Sequence, residues 1–297
     1  MYKEYTRPLE QSIDADKNVF SVLEERVRRA PNDSLVEYKN EAGEWSSFNA
    51  AEFQAKVIAI AKGLIARGIM PGDSVSITAH TCWQWTALDL AIMSIGALTV
   101  PVYETNSPAQ VTMIFNDSKV KMAFAEDDGQ RDKIESVRAQ CPDLGDVYVI
   151  RFGAIDTIIE YGRSVSDAEF YEREHAVKGS DLATIVYTSG STGTPKGIEL
   201  SHANFVFITY SGVNSMPDIA MKPNRRLLLF LPLAHVFARY MQFFCFAGNV
   251  SLGLSGNLKT ILADFQAFKP TFILAVPRIF EKIYNAASQK AGSGLKG

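Results

Sequence analysis

From Gly72 onward the chain alternates two hydrophobic rhythms over short distances, and few architectures tolerate that. The stretches "DSVSITA", "LTVPVYE", "KVKMAFAED" and "DVYVIRF" read as strands, while "WQWTALDLAIMSIGA", "SPAQVTMIFNDS" and "RDKIESVRAQ" between them carry the helical period. Strand and helix exchanging places across short links predict a parallel, doubly wound sheet. The fold class expected is therefore layered α/β, with mostly parallel sheets flanked by helices. Local signals fix some boundaries: Ser107, Pro108 and Gln110 form a capping box with a proline start, and Gly96 stops the helix before them.

Upstream, "VFSVLEERVRRA" places Phe20, Leu23 and Val27 on one helical face, and "NAAEFQAKVIAIAKGLIARG" does the same with Phe53, Val57, Ile60 and Leu64 before Gly68. "LVEYKNEAGEWSSF" between them reads as a hairpin turning near Ala42 and Gly43. A polar stretch, "GRSVSDAEFYEREHAVKGSD", suggests a seam near residue 180, giving a first lobe over 1–180 and a second over 181–297. The greasiest segment, "LLLFLPLAHVFARYMQFFCFAG", is interrupted by Pro232, His235, Arg239 and Gln242 and reads as buried strand, turn and buried helix rather than a span.

Composition excludes several classes. A net charge of −3 over 297 residues offers no basic footprint for nucleic acid. Cys82, Cys141 and Cys245 are odd in number and scattered, which indicates reduced thiols of a cytoplasmic protein rather than a disulfide frame or a zinc site. "MYKEYTRPLEQS" has no apolar core of a signal peptide.

The chemistry concentrates in "YTSGSTGTPKG", Tyr187 to Gly197, directly after the apolar strand "LATIVYT". A glycine-rich loop leaving a strand can aim several backbone N–H groups at one anion. Thr188, Ser189, Ser191, Thr192 and Thr194 add hydroxyls, Gly190 and Gly193 allow close approach, and Lys196 adds a point charge suited to phosphate. Pro195 before the lysine and Gly197 after it rule out a Walker A loop, and Ser189 in place of glycine rules out a nucleophile elbow.

Read onward to "GIELSHANF", with His202 and Asn204, this stretch resembles the phosphate-binding signature of the adenylate-forming superfamily: acyl-CoA synthetases, luciferases and peptide-synthetase adenylation domains. "LLLFLPLAHVFARY" and "KPTFILAVPRIFEKIYNAA" resemble segments of its long-chain fatty acyl-CoA synthetases, and the likeness spans nearly the whole chain. Ala238 departs from that pattern, standing where glutamate is common before Arg239.

The resemblance implies an enzyme that joins a fatty acid to ATP as acyl-adenylate and then to CoA as a thioester, with Mg²⁺ at the phosphates. It implies that Thr188 through Lys196 hold the β- and γ-phosphates, that Thr188 contributes to the Mg²⁺ site, and that His235 lies by the carboxylate pocket as a catalytic group. Thr188 reads equally as a strand-end hydroxyl bonded to backbone, and His235 as a satisfied core residue. His202 reads as structural. Arg239 and Arg278 read as anion contacts or as salt bridges, and Phe237, Tyr240, Phe243, Phe244 and Phe246 as an acyl tunnel or plain helix core. Aryl- or amino-acid adenylation, and nucleotide binding without turnover, are the competing readings. The resemblance further implies small-molecule substrates only, peripheral membrane contact for a greasy substrate, and a missing C-terminal lobe. The second lobe is thus expected to be incomplete, and this chain alone to adenylate poorly.

Overall fold

A computed structural model describes residues 14, 16–189 and 195–275, with 280, 281, 284, 285 and 288. The chain runs α1 (Val19–Arg29), β1 (Ser34–Lys39), β2 (Trp45–Asn49), α2 (Ala50–Ala66), β3 (Ser74–Thr78), α3 (Trp83–Ser94), β4 (Leu98–Pro101), α4 (Pro108–Ser118), β5 (Val120–Ala125), α5 (Asp128–Glu135), β6 (Val147–Val149), α6 (Ala154–Tyr161) and α7 (Asp167–Ala176). It continues β7 (Leu182–Ser189), β8 (Pro195–Ser201), α8 (His202–Ser215), α9 (Pro217–Ala220), β9 (Arg225–Leu229), α10 (Val236–Ala247), β10 (Val250–Leu254) and α11 (Ile261–Phe268). A six-stranded sheet has the order β6-β5-β3-β4-β7-β8 and a four-stranded sheet the order β2-β1-β10-β9. Parallel pairs dominate; the exceptions are the hairpins β1–β2 and β7–β8.

Side-chain alternation along the strands sets the layers. On β5, Met122 and Phe124 join the main core while Ala123 and Ala125 face a second cluster under α4 and α5. On β9, Leu227 and Leu229 join the main core while Leu228 faces a third cluster with Ile261 and Phe268 of α11. Phe20, Phe53, Trp85, Phe205 and Phe243, one each from α1, α2, α3, α8 and α10, fill the main core between the sheets. Helix α3 is apolar nearly all round, and every residue from Trp85 to Ser94 is buried, as a helix sandwiched between layers must be. The greasy segment resolves into β9, a turn and α10, and no helix among the described residues is long and apolar enough to cross a membrane.

The boundary expected near residue 180 cuts across both sheets. Strands β7 and β8 complete the six-stranded sheet, while β1 and β2 complete the four-stranded one, with Val36 in parallel register with Leu252. The polar stretch read as a seam is largely α7, which buries Phe170 and Glu174. Among its described residues, 271–275, "TFILAVP" shows an isolated bridge, Phe272 to Leu227, and Arg278 lies outside the described residues.

Close helix approach carries one stability prediction. A Cβ on Gly63 of α2 would overlap the carbonyl oxygen of Ile158 in α6, and one on Gly162 would sit 2.5 Å from Gly63 N. Helix propensity favours alanine over glycine by about 1 kcal/mol, but overpacking against backbone costs roughly 1–3 kcal/mol and more when nothing can yield. Gly63→Ala is therefore expected to destabilise, read as a lower urea midpoint with an unchanged slope. A higher midpoint would show that α2 and α6 part freely.

Candidate functional site

The carboxyl ends of the two sheets meet. Thr81, just past β3, donates its hydroxyl to the Leu231 carbonyl just past β9, at 2.7 Å. After β10, Gly256 lies so close to His80 and Thr81 that a Cβ there would be 2.9 Å from His80 Cβ and from the Thr81 carbonyl. Strands β4 and β7 run parallel to β3, so the end of β7 opens on the same side. Ligands of α/β sheets bind at such carboxyl edges.

The strands that flank the glycine-rich stretch, β7 and β8, form a hairpin at that edge. Thr188 pairs with Lys196 and Ser189 with Pro195, so residues 190–194 join two strands in register. Gly190, Ser191, Thr192, Gly193 and Thr194 lie outside the described residues. Thr188 and Lys196 are exposed and, among the described residues, their side chains make no hydrogen bond or ion pair; the backbone-bonded reading of Thr188 finds no support there. The hairpin itself is anchored. Tyr187 is buried and donates to Asp117 at 2.6 Å; burial first, then that carboxylate, push its phenol well above the ordinary range. Gly197 lets β8 pass over it, since a Cβ there would lie 2.9 Å from Ile185 and 3.2 Å from the Tyr187 ring.

Ile185 and Tyr187 face the outer cluster, so Thr184 and Thr188 share the inner face of β7. Thr184 accepts from Arg239 Nη1 of α10 at 2.8 Å. Thr188 follows four residues on, about 13 Å along the strand, and His235 stands about 6 Å before Arg239 along the helix axis. The hairpin and the start of α10 therefore share one side of the sheet, although no described contact joins His235 to Thr188 or Lys196.

His235 is the N-cap of α10. It is exposed, and its Nδ1 accepts the Phe237 N–H at 3.2 Å, which leaves Nε2 to act outward. It is not a core histidine. Arg239 is the opposite case: fully buried, bound to Asp89 at 3.1 and 2.6 Å, and stacked 4.9 Å from the Phe205 ring. It is a structural ion pair, and Ala238 beside it is core. Phe243, Phe244 and Phe246 are core as well, while Phe237 is exposed and Tyr240 half-buried. His202 is buried, and its Nδ1 accepts the Val19 N–H at 3.2 Å. The three cysteines are free thiols.

One cluster at the edge escaped the sequence analysis. His80 Nδ1 lies 2.5 Å from Glu126 Oε2, and Arg151 donates to Glu126 Oε1 at 2.7 Å. Burial pushes the Glu126 carboxyl up, but the His80 backbone and ring donors and Arg151 outweigh it and hold it below the ordinary range. Burial lowers the His80 imidazole, but Glu126 and Glu104 reverse that and hold it above its usual value. Their signal in the sequence was position: His80 follows β3 by two residues and Glu126 follows β5 directly.

The fold is a layered α/β scaffold in which the β7–β8 hairpin, with Thr188 and Lys196 paired, stands at the carboxyl edge. The family model for AMP-binding enzymes matches residues 23–296, and the chain belongs to that family. It is 37% identical over 298 residues to long-chain-fatty-acid–CoA ligase FadD15 of Mycobacterium tuberculosis, covering 99% of this chain and 49% of that protein. The chain thus spans about half the length of the curated relatives it matches. Two solved structures share the fold. The N-terminal domain of FACL13 from Mycobacterium tuberculosis has a TM-score of 0.73 at 23% identity, covering 89% of this chain and 64% of that one. O-succinylbenzoate coenzyme A synthetase from Bacillus subtilis, solved with ATP and magnesium ion, has a TM-score of 0.69 at 18% identity, covering 89% of this chain and 65% of that one.

Proposed function

We propose that this chain carries the ATP-phosphate and carboxylate side of a long-chain fatty acid–CoA ligase. In that reaction a fatty-acid carboxylate attacks the α-phosphorus of ATP and expels pyrophosphate; the CoA thiolate then attacks the acyl carbonyl and expels AMP. The physical difficulty is charge, because an anion approaches a polyanion and negative charge grows on the leaving pyrophosphate. Lys196 is the fixed counter-charge, and Thr188, Ser189, Ser191, Thr192 and Thr194 with the glycine amides of 190 and 193 are donors for the β- and γ-phosphates. His235 Nε2, free of the helix cap, donates to the carboxylate or the adenylate.

Mg²⁺ suits this arrangement only as a companion of the nucleotide. Among the described residues no group of three His, Cys, Asp or Glu side chains is placed to hold a metal, so the Thr188 hydroxyl would add one oxygen to those of the phosphates. Bound there, the ion would screen the leaving charge. The proposed enzyme works in the cytoplasm and takes acyl substrate at the membrane periphery; Phe207 and Ile208, 50% and 45% exposed on α8, are side chains a bilayer surface accepts.

The observation that carries the reading is the register of Thr188 with Lys196 at the carboxyl edge, both exposed. Mg²⁺ and ATP together are expected to raise the melting temperature of the chain by linkage, and Lys196→Met, an exposed substitution, to remove most of that rise. An equal rise in the variant would sink the proposal. With ATP present, palmitate is expected to add a further shift that benzoate and amino acids do not.

A further inference from the structure

At the opposite, amino-terminal edge of the four-stranded sheet lies a cavity of about 910 Å³. Ser34, which opens β1, and Arg225, which opens β9, line it, so it is separate from the β7–β8 hairpin at the carboxyl edge. Arg26, Arg29, Arg225 and Arg226 line it, with Asp33 and Glu37; Arg226 lies on the other face of β9, over the Phe268 ring at 4.0 Å, which leaves the guanidinium groups of Arg26, Arg29 and Arg225 for the cavity. Glu37 is already taken by Arg226, at 2.6 Å. Among the described residues Arg26, Arg29 and Arg225 have no carboxylate within ion-pair distance.

Part of this charge has a structural use. Arg26 and Arg29 donate to the Gly248 carbonyl beyond α10, Arg29 also to Ala247 at 2.9 Å, and Arg225 to the Asp218 carbonyl at 3.0 Å. That use does not exhaust the donors. Arg26 Nη2, Arg29 Nη1, Arg225 Nη1 and Arg226 Nη1 make no hydrogen bond to a described residue. Arg26 is 1% exposed, and its Nε, with those of Arg225 and Arg226 and the Ser34 hydroxyl, is buried without a partner. Asp33 acts on Arg26 only from beyond ion-pair distance and Arg29 repels it, so the lining keeps a net positive charge, and a buried guanidinium without a paired anion is costly. The remaining lining is chiefly asparagine and serine, which suits a hydrated oxyanion and not an acyl chain.

We propose that this cavity binds a phosphate group, through the free guanidinium donors of Arg26, Arg29 and Arg225. It is a second anion site, independent of the β7–β8 hairpin. The group is either a free phosphate or the headgroup of an anionic lipid, and the experiment separates the two. Arg29 and Arg225 reach the surface, so Arg29→Gln/Arg225→Gln lowers the site's charge without emptying the core. Inorganic phosphate at about ten times its Kd, against chloride of equal ionic strength, is expected to raise the melting temperature by roughly 2 °C.

Lys196→Met should keep that rise and Arg29→Gln/Arg225→Gln should lose it, with circular dichroism confirming that both are folded. In parallel, flotation with phosphatidylcholine vesicles containing phosphatidic acid reads the lipid source. Flotation that the double substitution abolishes assigns the headgroup; a phosphate shift without flotation assigns the free ion. Should Lys196→Met abolish the response while the arginine variant keeps it, or should neither phosphate nor vesicles bind, the proposal fails. If the double variant proves unfolded, Arg225→Lys, which keeps the charge and removes the fork, must weaken phosphate binding severalfold for the proposal to stand.

Discussion

Arg239→Met is expected to destabilise the protein by about 3–5 kcal/mol, the cost of leaving a buried carboxylate without its partner. Asp89 and Arg239 are both wholly inaccessible, on α3 and α10 in the layer between the sheets. Two guanidinium nitrogens hold the two carboxylate oxygens at 3.1 and 2.6 Å, and Gln242 adds a weaker contact at 3.4 Å. The third nitrogen donates to the Thr184 hydroxyl, which in turn donates a hydrogen bond to the Thr99 carbonyl at 2.5 Å. The guanidinium lies 5.6 Å from the Trp85 ring and 4.9 Å from the Phe205 ring, so its faces are also used. Methionine fills the space but supplies none of the charge.

Urea unfolding reads the loss. The double substitution Asp89→Leu/Arg239→Met should recover most of it, because a buried pair replaced by apolar groups of similar volume is close to neutral. A loss under about 1 kcal/mol for Arg239→Met alone would mean that water reaches Asp89 and that the pair is not dry.

That pair also marks where the sequence stopped being legible. Alternation from β3 to β6 and the capping box at Ser107 were readable because each is written within a few neighbouring residues. The hairpin turn at Gly43, with φ of 80°, and the strand, turn and helix of the greasy segment were local in the same sense. The sheet partition was not. Val36 finds Leu252 and Thr99 finds Thr184 across long stretches of chain, and nothing in a parallel strand's own pattern names its neighbour.

Asp89 could have been singled out, since a lone carboxylate inside "WTALDLAIMS" needs a buried cation, and "HVFARY" holds one. Of the candidate site, the glycine-rich motif was legible in the sequence, and the place of its flanking strands at a carboxyl edge required the fold. Whether His235 was core or surface could not be read from its apolar neighbours, because a helix start turns the side chain out while the helix behind it turns in.

His202 shows how such a buried group couples to pH. Its Nδ1 accepts the first amide of α1, so the ring serves as a cap for a helix more than 180 residues upstream and is held neutral. Burial pushes the imidazole down to about 4, with Asp181 opposing and Arg239 assisting. An unfolded chain takes up that proton near pH 6.5 and the folded one only near 4, so between these values the unfolded state binds more protons. The contribution is fully present above pH 6.5 and declines as pH falls toward 4, by up to roughly 3 kcal/mol.

Protonation would also replace the acceptor with a donor facing the Val19 N–H, and Nε2 is buried without a partner, so the charged ring has nowhere to turn. His202→Gln keeps an acceptor for that amide and cannot titrate. Its stability should therefore be lower than that of the unsubstituted chain at pH 7.5 and should fall less between pH 6.5 and 4.5, since only the titratable groups common to both proteins still respond. Parallel pH–stability curves for the two would mean that His202 is protonated in the fold and that α1 is capped by other means.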